Sequence, residues 1–191
     1  MNRETIQKVI EQAVFVLQRG GIILYPADTI WGIGCDASNP EAVRRVYEIK
    51  GRAYTKPLIV LVASLHQLYE VAKNVHPRID TLLHYHERPL TIIYPGTQEP
   101  YRHLAAADGS IAVRMVGPCF CQELIQAFGK PLVSTSANLS GEPSPMRFGN
   151  ISTEIIRQVD LALPAFTEKD LTGKPSVIAR YDENGELDFI R

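Results

Sequence analysis

Residues Leu58–Ala63 read LIVLVA, a run without a single polar position and with Ile59, Val60 and Val62 β-branched. Successive side chains of a strand point to opposite faces, so such a run belongs in a sheet buried on both sides. Two buried faces require helices, and the flanking sequence supplies them. From Arg3 to Arg19 the residues Ile6, Val9, Ile10, Ala13, Val16 and Leu17 recur at helical spacing, and Gly20-Gly21 provides a stop. Ile22–Tyr25 reads as a strand. A helix is expected from Glu41 to Lys50 with Val43, Val46 and Tyr47 inward, Ser38 and Glu41 standing at capping-box spacing. Ser64, with Gln67 three residues on, opens another helix. Leu90–Tyr94 and Ile111–Met115 read as short strands separated by a polar, proline-containing stretch with helical turns. Cys119–Phe128 reads as a helix ending at Gly129, and Leu132–Thr135 as a strand. A helix near Thr153–Val159 and two strands about an Asp182-Glu183-Asn184-Gly185 turn complete the chain. Helices and strands alternate without a linker or repeat, which predicts one α/β domain over residues 1–191: a single-domain, twisted, open mixed sheet with flanking helices.

Charge narrows the function. Lys and Arg number 20 against 21 Asp and Glu, so the molecule as a whole presents no attractive field to a polyanion, which disfavours a dedicated nucleic-acid binder. A 45% hydrophobic fraction excludes a disordered chain. No apolar run approaches the ~20 residues that span a bilayer, and the charged start MNRETIQKVIEQ lacks a signal-peptide core, so a cytoplasmic protein with no membrane contact is expected. Cys35, Cys119 and Cys121 lack zinc-site spacing and are expected as buried free thiols; His66, His76, His84, His86 and His103 have no paired ligand spacing.

Polar groups that a core would reject concentrate in three loops. The first is Ala27-Asp28-Thr29-Ile30-Trp31-Gly32, at the start of the Gly-, Asp-, Ser- and Pro-rich stretch 26–39 (PADTIWGIGCDASN), which reads either as a Pro-initiated turn with an Asx hydrogen bond or as part of a ligand site; Gly32-Ile33-Gly34 lacks the third glycine of a dinucleotide fingerprint. The second, Lys50-Gly51-Arg52 followed by Lys56, has two readings: cations complementing a helix dipole at a Gly C-cap, or an Arg fork and two Lys charges aimed at a polyphosphate. No GxxxxGK[ST] segment exists, so a P-loop is excluded. The third is Ser134-Thr135-Ser136-Ala137-Asn138, a strand end rich in hydroxyls, leading into an aperiodic stretch over residues 136–150. Arg114 interrupts the apolar strand Ile111–Val116 and needs a carboxylate or phosphate partner, from the protein or from a substrate. No Gly-x-Ser-x-Gly nucleophile elbow is present.

With these loops in hand, the chain resembles the YrdC family of threonylcarbamoyl-AMP synthases in its single-domain form. The resemblance is carried by Tyr25-Pro26-Ala27-Asp28-Thr29-Ile30-Trp31-Gly32, Lys50-Gly51-Arg52 with Lys56-Pro57-Leu58, Ala112-Val113-Arg114, Pro131 through Gly141 (PLVSTSANLSG) and Pro175-Ser176-Val177. It implies a YrdC-like fold around a concave, cationic active-site cavity. It further implies that ATP, L-threonine and bicarbonate or CO2 are converted to L-threonylcarbamoyladenylate and pyrophosphate, for threonylcarbamoyladenosine modification of tRNA. Transferred by position, Thr29, Arg114 and Ser176 hold threonine, Arg114 through its carboxylate. Lys50, Arg52, Lys56, Ser110, Ser134, Ser136 and Asn138 hold ATP and carbonate, with Lys50 and Arg52 assigned the catalytic role. Mg²⁺ is expected with the triphosphate, without a protein cage. Further partners implied are tRNA or RNA and a downstream threonylcarbamoyl-transferase protein. This chain departs from the family pattern at Ala27, His86-Glu87-Arg88-Pro89, Val177 and Arg180, and on the same resemblance it is expected to be the minimal catalytic form without a second domain. The alternative expectation is a YrdC-like nucleotide- or RNA-binding protein without the synthase activity. On the synthase reading, Lys50→Gln and Arg52→Gln are both expected to lose activity while melting within a few degrees of the parent.

Overall fold

A computed structural model describes residues 2–181 and 185–190. In chain order the helices are α1 Arg3–Gln18, α2 Pro40–Lys50, α3 Leu65–Val71, α4 Arg78–Tyr85, α5 Phe120–Phe128 and α6 Thr153–Gln158. The strands are β1 Ile23–Pro26, β2 Trp31–Asp36, β3 Ile59–Val62, β4 Ala72–Lys73, β5 Leu90–Tyr94, β6 Gly96–Thr97, β7 Ile111–Met115, β8 Leu132–Ser136, β9 Leu161–Ala162, β10 Val177–Tyr181 and β11 Leu187–Phe189. Nine of them form one mixed sheet in the order β11-β10-β5-β7-β3-β8-β2-β1-β9, while β4 and β6 pair separately. The β10–β5, β3–β7 and β1–β9 pairs are parallel and the others antiparallel.

Alternation along the strands sorts two cores. Leu24, Ile33, Val60, Val62, Ile92, Val113 and Val133 face one side and pack with Val43, Val46, Leu68 and Ile155 of α2, α3 and α6. Ile23, Tyr25, Leu61 and Leu132 face the other, against Ile10, Ala13 and Leu17 of α1 and Leu124, Ile125 and Phe128 of α5. The apolar run in β3 is therefore buried on both faces, as its composition requires. On the second face α1 and α5 stop short of the β5–β10 end, and the sheet surface left between is the floor of a cavity.

Two expectations are corrected. The loop expected over Ala27–Gly32 ends earlier, and the stretch after it is not irregular: Trp31–Asp36 is a strand, buried throughout and paired with both β1 and β8. Its period-two pattern was concealed by glycine, because Trp31, Ile33 and Cys35 face the helical layer while Gly32 and Gly34 face crowded backbone. An ideal Cβ on Gly34 would stand 2.1 Å from the Val133 carbonyl oxygen. The α2 cap is not Ser38 but Asn39, whose side chain accepts from the Glu41 and Ala42 N–H groups, with Pro40 in the first turn. Ser38 instead donates to Asp36 at 2.6 Å. By contrast, Ser64 caps α3 by accepting from Gln67 N–H, and Gly51 ends α2 at φ 56°. The strands β10 and β11 pair antiparallel, while Asp182, Glu183 and Asn184 of the expected turn lie outside the described residues.

Candidate active site

The cavity, about 280 Å³, is lined by Thr29, Arg52, Arg114, Ser134, Ser136 and Ser176 together with Thr91, Thr135, Ser144 and an apolar wall including Ile59, Ile93, Ala112 and Ile178. Chain segments separated by more than a hundred residues thus converge because β5, β7, β3, β8 and β2 lie side by side and expose alternate residues to one face. The charged side chains on its wall, among the described residues, are Arg52 and Arg114.

Arg114 has its protein partner in Asp28: Nη2 lies 3.0 Å from Oδ1 with both side chains nearly buried. The contact is electrostatic and not aligned as a hydrogen bond, since Asp28 Oδ1 and Arg114 Nε are both buried without a hydrogen-bond partner. Asp28 sits behind the guanidinium and Arg114 lines the cavity in front of it, so the cation stays buried without losing its access to a ligand. The loop carrying Asp28 and Thr29 is pinned from outside, Thr172 N–H donating to the Asp28 carbonyl at 3.1 Å and Gly173 N–H to that of Thr29 at 2.9 Å. Beneath them, burial pushes the Tyr25 phenol well above its usual range, with the neighbouring Cys121 adding to the shift.

Lys50 and Arg52, paired in the sequence reading, have different roles in the structure. Lys50 is 2% exposed, and its ammonium points away from solvent into the turn after β8. It donates to the Ser136 carbonyl at 2.5 Å, to the Asn138 carbonyl, and to Asn138 Oδ1 at 3.0 Å. Its three protons are thereby matched by three oxygens of one loop. Burial, and secondarily the charge of Arg52, pulls its pKa from 10.5 to about 8. Arg52 instead stands at the cavity rim, steadied by Nε on the Lys56 carbonyl at 3.2 Å and Nη2 on the Pro57 carbonyl at 3.0 Å. Lys56 is exposed and contributes its carbonyl to this arrangement; its side chain is not on the cavity wall. Ser110 is buried, donates to Asp108 at 2.6 Å, and lines a separate recess of about 140 Å³ with Arg180. Asn138 serves as the Lys50 acceptor and donates to the Leu139 and Glu142 carbonyls, at 2.9 and 2.6 Å.

Several participants escaped the sequence reading. Thr91 carried the same signal as Arg114, a polar residue inside an apolar strand, and was readable on that ground. Glu168 was not: its Oε2 accepts from Trp31 Nε1 at 2.6 Å and from Phe148 N–H at 2.8 Å, closing the far end of the stretch that Lys50 anchors at its start. That residues 136–150 are tied at both ends follows only from the three-dimensional contacts. Cys35 and Cys121 are buried, and Cys119 is half-buried. Among the described residues no three His, Cys, Asp or Glu side chains converge as a metal site, and the cavity wall carries no carboxylate.

Comparison with known proteins follows the same architecture. The Sua5/YciO/YrdC family model, described as telomere recombination, matches residues 15–191. A threonylcarbamoyl-AMP synthase of Vibrio campbellii is 35% identical over 176 residues, 90% of this chain and 93% of its own length. The crystal structure of Pyrococcus abyssi Sua5 complexed with L-threonine superposes with a TM-score of 0.86 at 27% identity, over 95% of this chain and 53% of that one, so this chain spans about half of the archaeal protein. Escherichia coli YciO superposes with a TM-score of 0.77 at 25% identity, over 97% of this chain and 89% of that one.

Proposed function

The chain belongs to the Sua5/YciO/YrdC family, and from that premise we propose that it is an L-threonylcarbamoyladenylate synthase, a nucleotidyltransferase that uses ATP, L-threonine and bicarbonate or CO2. The observation that carries this reading is the convergence of Thr29, Arg52, Arg114, Ser134, Ser136 and Ser176 on one cavity with arginine at two separate points. An amino acid and a nucleotide each bring an anion, and two separated guanidinium groups suit a carboxylate and a phosphate held at a distance. The threonine complex of Sua5 supports an amino-acid site in this fold.

In the proposed reaction the threonine amine adds to CO2 with release of a proton, or condenses with bicarbonate with loss of water, to give a carbamate; a carbamate oxygen then forms a bond to the α-phosphorus as the bond to the pyrophosphate leaving group breaks. No covalent enzyme intermediate is needed, so the protein contributes positioning and charge. Arg114, backed by Asp28, receives the carboxylate; Thr29 and Ser176 border that end. Arg52 meets the polyphosphate. The Ser134–Asn138 segment faces the nucleotide, with Lys50 fixing its shape from behind. Mg²⁺ fits here only as part of the nucleotide, because the wall offers it no carboxylate. The product is an activated acyl phosphate, so a transferase acting on tRNA is its proposed consumer. No helix among the described residues is long and apolar enough to cross a membrane.

The test is pyrophosphate release by the purified protein with ATP, threonine and bicarbonate, together with detection of the adenylate. Release that depends on threonine supports the synthase. Release indifferent to threonine, or nucleotide binding with no release, refutes it.

A further inference from the structure

Cys119 and Cys121 stand at the start of α5, in the helical layer beside the cavity and outside its wall. Cys119 is the N-cap residue, in extended backbone, a place where a hydroxyl or amide oxygen is the usual choice and a thiol is a weaker acceptor. It is half-buried, within reach of a small solute, whereas Cys121 is sealed in the core between α1, α5 and the sheet. The two thiols meet, Cys121 donating to the Cys119 sulfur. That contact holds the Cys119 pKa below its usual value and, with burial, pushes the Cys121 pKa well up. Residues two apart have Cα atoms at most about 7 Å from each other, and the turn from an extended N-cap into a helix shortens this into the roughly 4.4–6.8 Å that a disulfide spans. Cys35 lies in the other core, across the sheet, and cannot join them.

We propose that Cys119 and Cys121 are a peroxide-sensitive pair that closes to a reversible disulfide, and that closure weakens threonine binding at Arg114. The Cys119 thiolate attacks one peroxide oxygen, the O–O bond breaks, and the hydroxide that leaves takes up the proton Cys119 released, giving a sulfenic acid and water. The Cys121 sulfur then bonds to that of Cys119 as the S–O bond breaks, and the departing hydroxide carries off the Cys121 proton as a second water. The thiols lose two electrons and the peroxide gains them. A ring closed over three residues constrains the unfolded chain very little, so the bond is a labile one that a dithiol reverses and not a structural staple. The Cys121 sulfur lies within electrostatic range of Tyr25, Asp28 and Arg114, and it shares a core with Tyr25. Drawing two nonbonded sulfurs to about 2.05 Å moves them by roughly an ångström or more, in a close-packed layer that transmits the shift to the Asp28–Arg114 pair. The coupling to threonine rests on the synthase reading above; the disulfide does not.

The experiment treats the parent, Cys119→Ser and Cys121→Ala with hydrogen peroxide and then with dithiothreitol, and reads thiol count in denaturant, intact mass and a peptide map. The parent, with three cysteines, is expected to keep only the Cys35 thiol, to lose two hydrogens in mass, and to recover all three thiols with dithiothreitol. Cys119→Ser, which places a favoured residue at the N-cap, is expected to form no disulfide, and Cys121→Ala to stop at a Cys119 sulfenic acid that dimedone captures. The oxidised parent is expected to show a threonine KM raised roughly 3–10-fold, with the ATP KM within about twofold and both restored by dithiothreitol, while Cys119→Ser keeps its threonine KM in peroxide. Three thiols surviving peroxide, or over-oxidation of Cys119 with no S–S bond, overturns the disulfide. A disulfide that leaves the threonine KM unchanged, or an equal rise in peroxide-treated Cys119→Ser, overturns the coupling. A parent that releases no pyrophosphate with threonine before oxidation defeats the synthase reading and the coupling with it, while thiol count and mass still decide the disulfide.

Discussion

Replacing Lys50 by methionine removes an ammonium from a place where it does two things at once, and the structure allows the balance to be worked out. Three charge-assisted hydrogen bonds are lost, to the Ser136 carbonyl, the Asn138 carbonyl and Asn138 Oδ1, each worth about 1.5–3 kcal/mol. Against this, the cost of holding a charge under cover is returned. A pKa lowered from 10.5 to about 8 puts that cost at about 2–3 kcal/mol after allowance for screening. The bonds win, leaving a net loss of about 3 kcal/mol, in line with other buried charges whose acceptors are left unpaired. For a chain of this size that is a fall in Tm of roughly 6–12 °C. Arg52→Gln should behave differently: its guanidinium is partly exposed and bonds only two carbonyls at the rim, so a change of about 1 kcal/mol or less is expected. The expectation that both cations are replaceable within a few degrees of Tm is thus kept as the prediction for Arg52 and revised for Lys50. Thermal unfolding of both variants, with amide hydrogen exchange over Ala137–Gly141, is the assay. The reasoning is refuted if Lys50→Met melts alongside Arg52→Gln and its loop amides exchange at the parent rate.

Four further outcomes follow from the contacts. Lys50 carries a pH signature: below about pH 8 it is protonated folded and unfolded alike and its desolvation cost is fully present. Between about 8 and 10.5 only the folded form loses the proton, so stability rises with pH. Denaturant unfolding at pH 7.5 and 9.5 should show the parent gaining about 1–2 kcal/mol relative to Lys50→Met. Arg114→Ala strands the buried Asp28 carboxylate and should cost about 3–5 kcal/mol as well as raising the threonine KM; adding Asp28→Ala should recover part of the stability but none of the KM. Gly34→Ala drives a Cβ into the Val133 carbonyl and should cost about 3 kcal/mol, whereas Gly149→Ala, with no atom within 4 Å of its Cβ, should leave the chemical denaturation midpoint almost unchanged. Glu168→Gln weakens the bonds to Trp31 and Phe148 by about 1–2 kcal/mol in all, visible as faster exchange of the Phe148 amide.

Periodicity alone placed most of the elements, because it records which side of a segment must leave water. Leu58–Ala63 demanded a sheet covered twice and received one. The amphipathic stripe beginning at Ile6 produced α1, and the aliphatic run in Ile111–Val116 produced β7 around its single arginine. β2 was hidden because its glycines are required by a neighbouring backbone, and the approach of Val133 to Gly34 is a fact about two strands, visible in neither sequence segment. The residue types of the site were equally legible: hydroxyls at the end of β8, cations after α2 and a lone arginine in β7 are too polar for a core. Which of them share a wall was decided by strand order, because β5 and β8 meet the same cavity only through β7 and β3 standing between them. The sequence by itself therefore determined the fold class, most of the longer strands and the chemistry on offer, all of which depend on local pattern. The tertiary structure decided that Arg114 is backed by Asp28, that Arg52 faces the cavity and that Lys50 is spent on a loop, since the burial and partners of a charge are set by chain segments far from it in sequence.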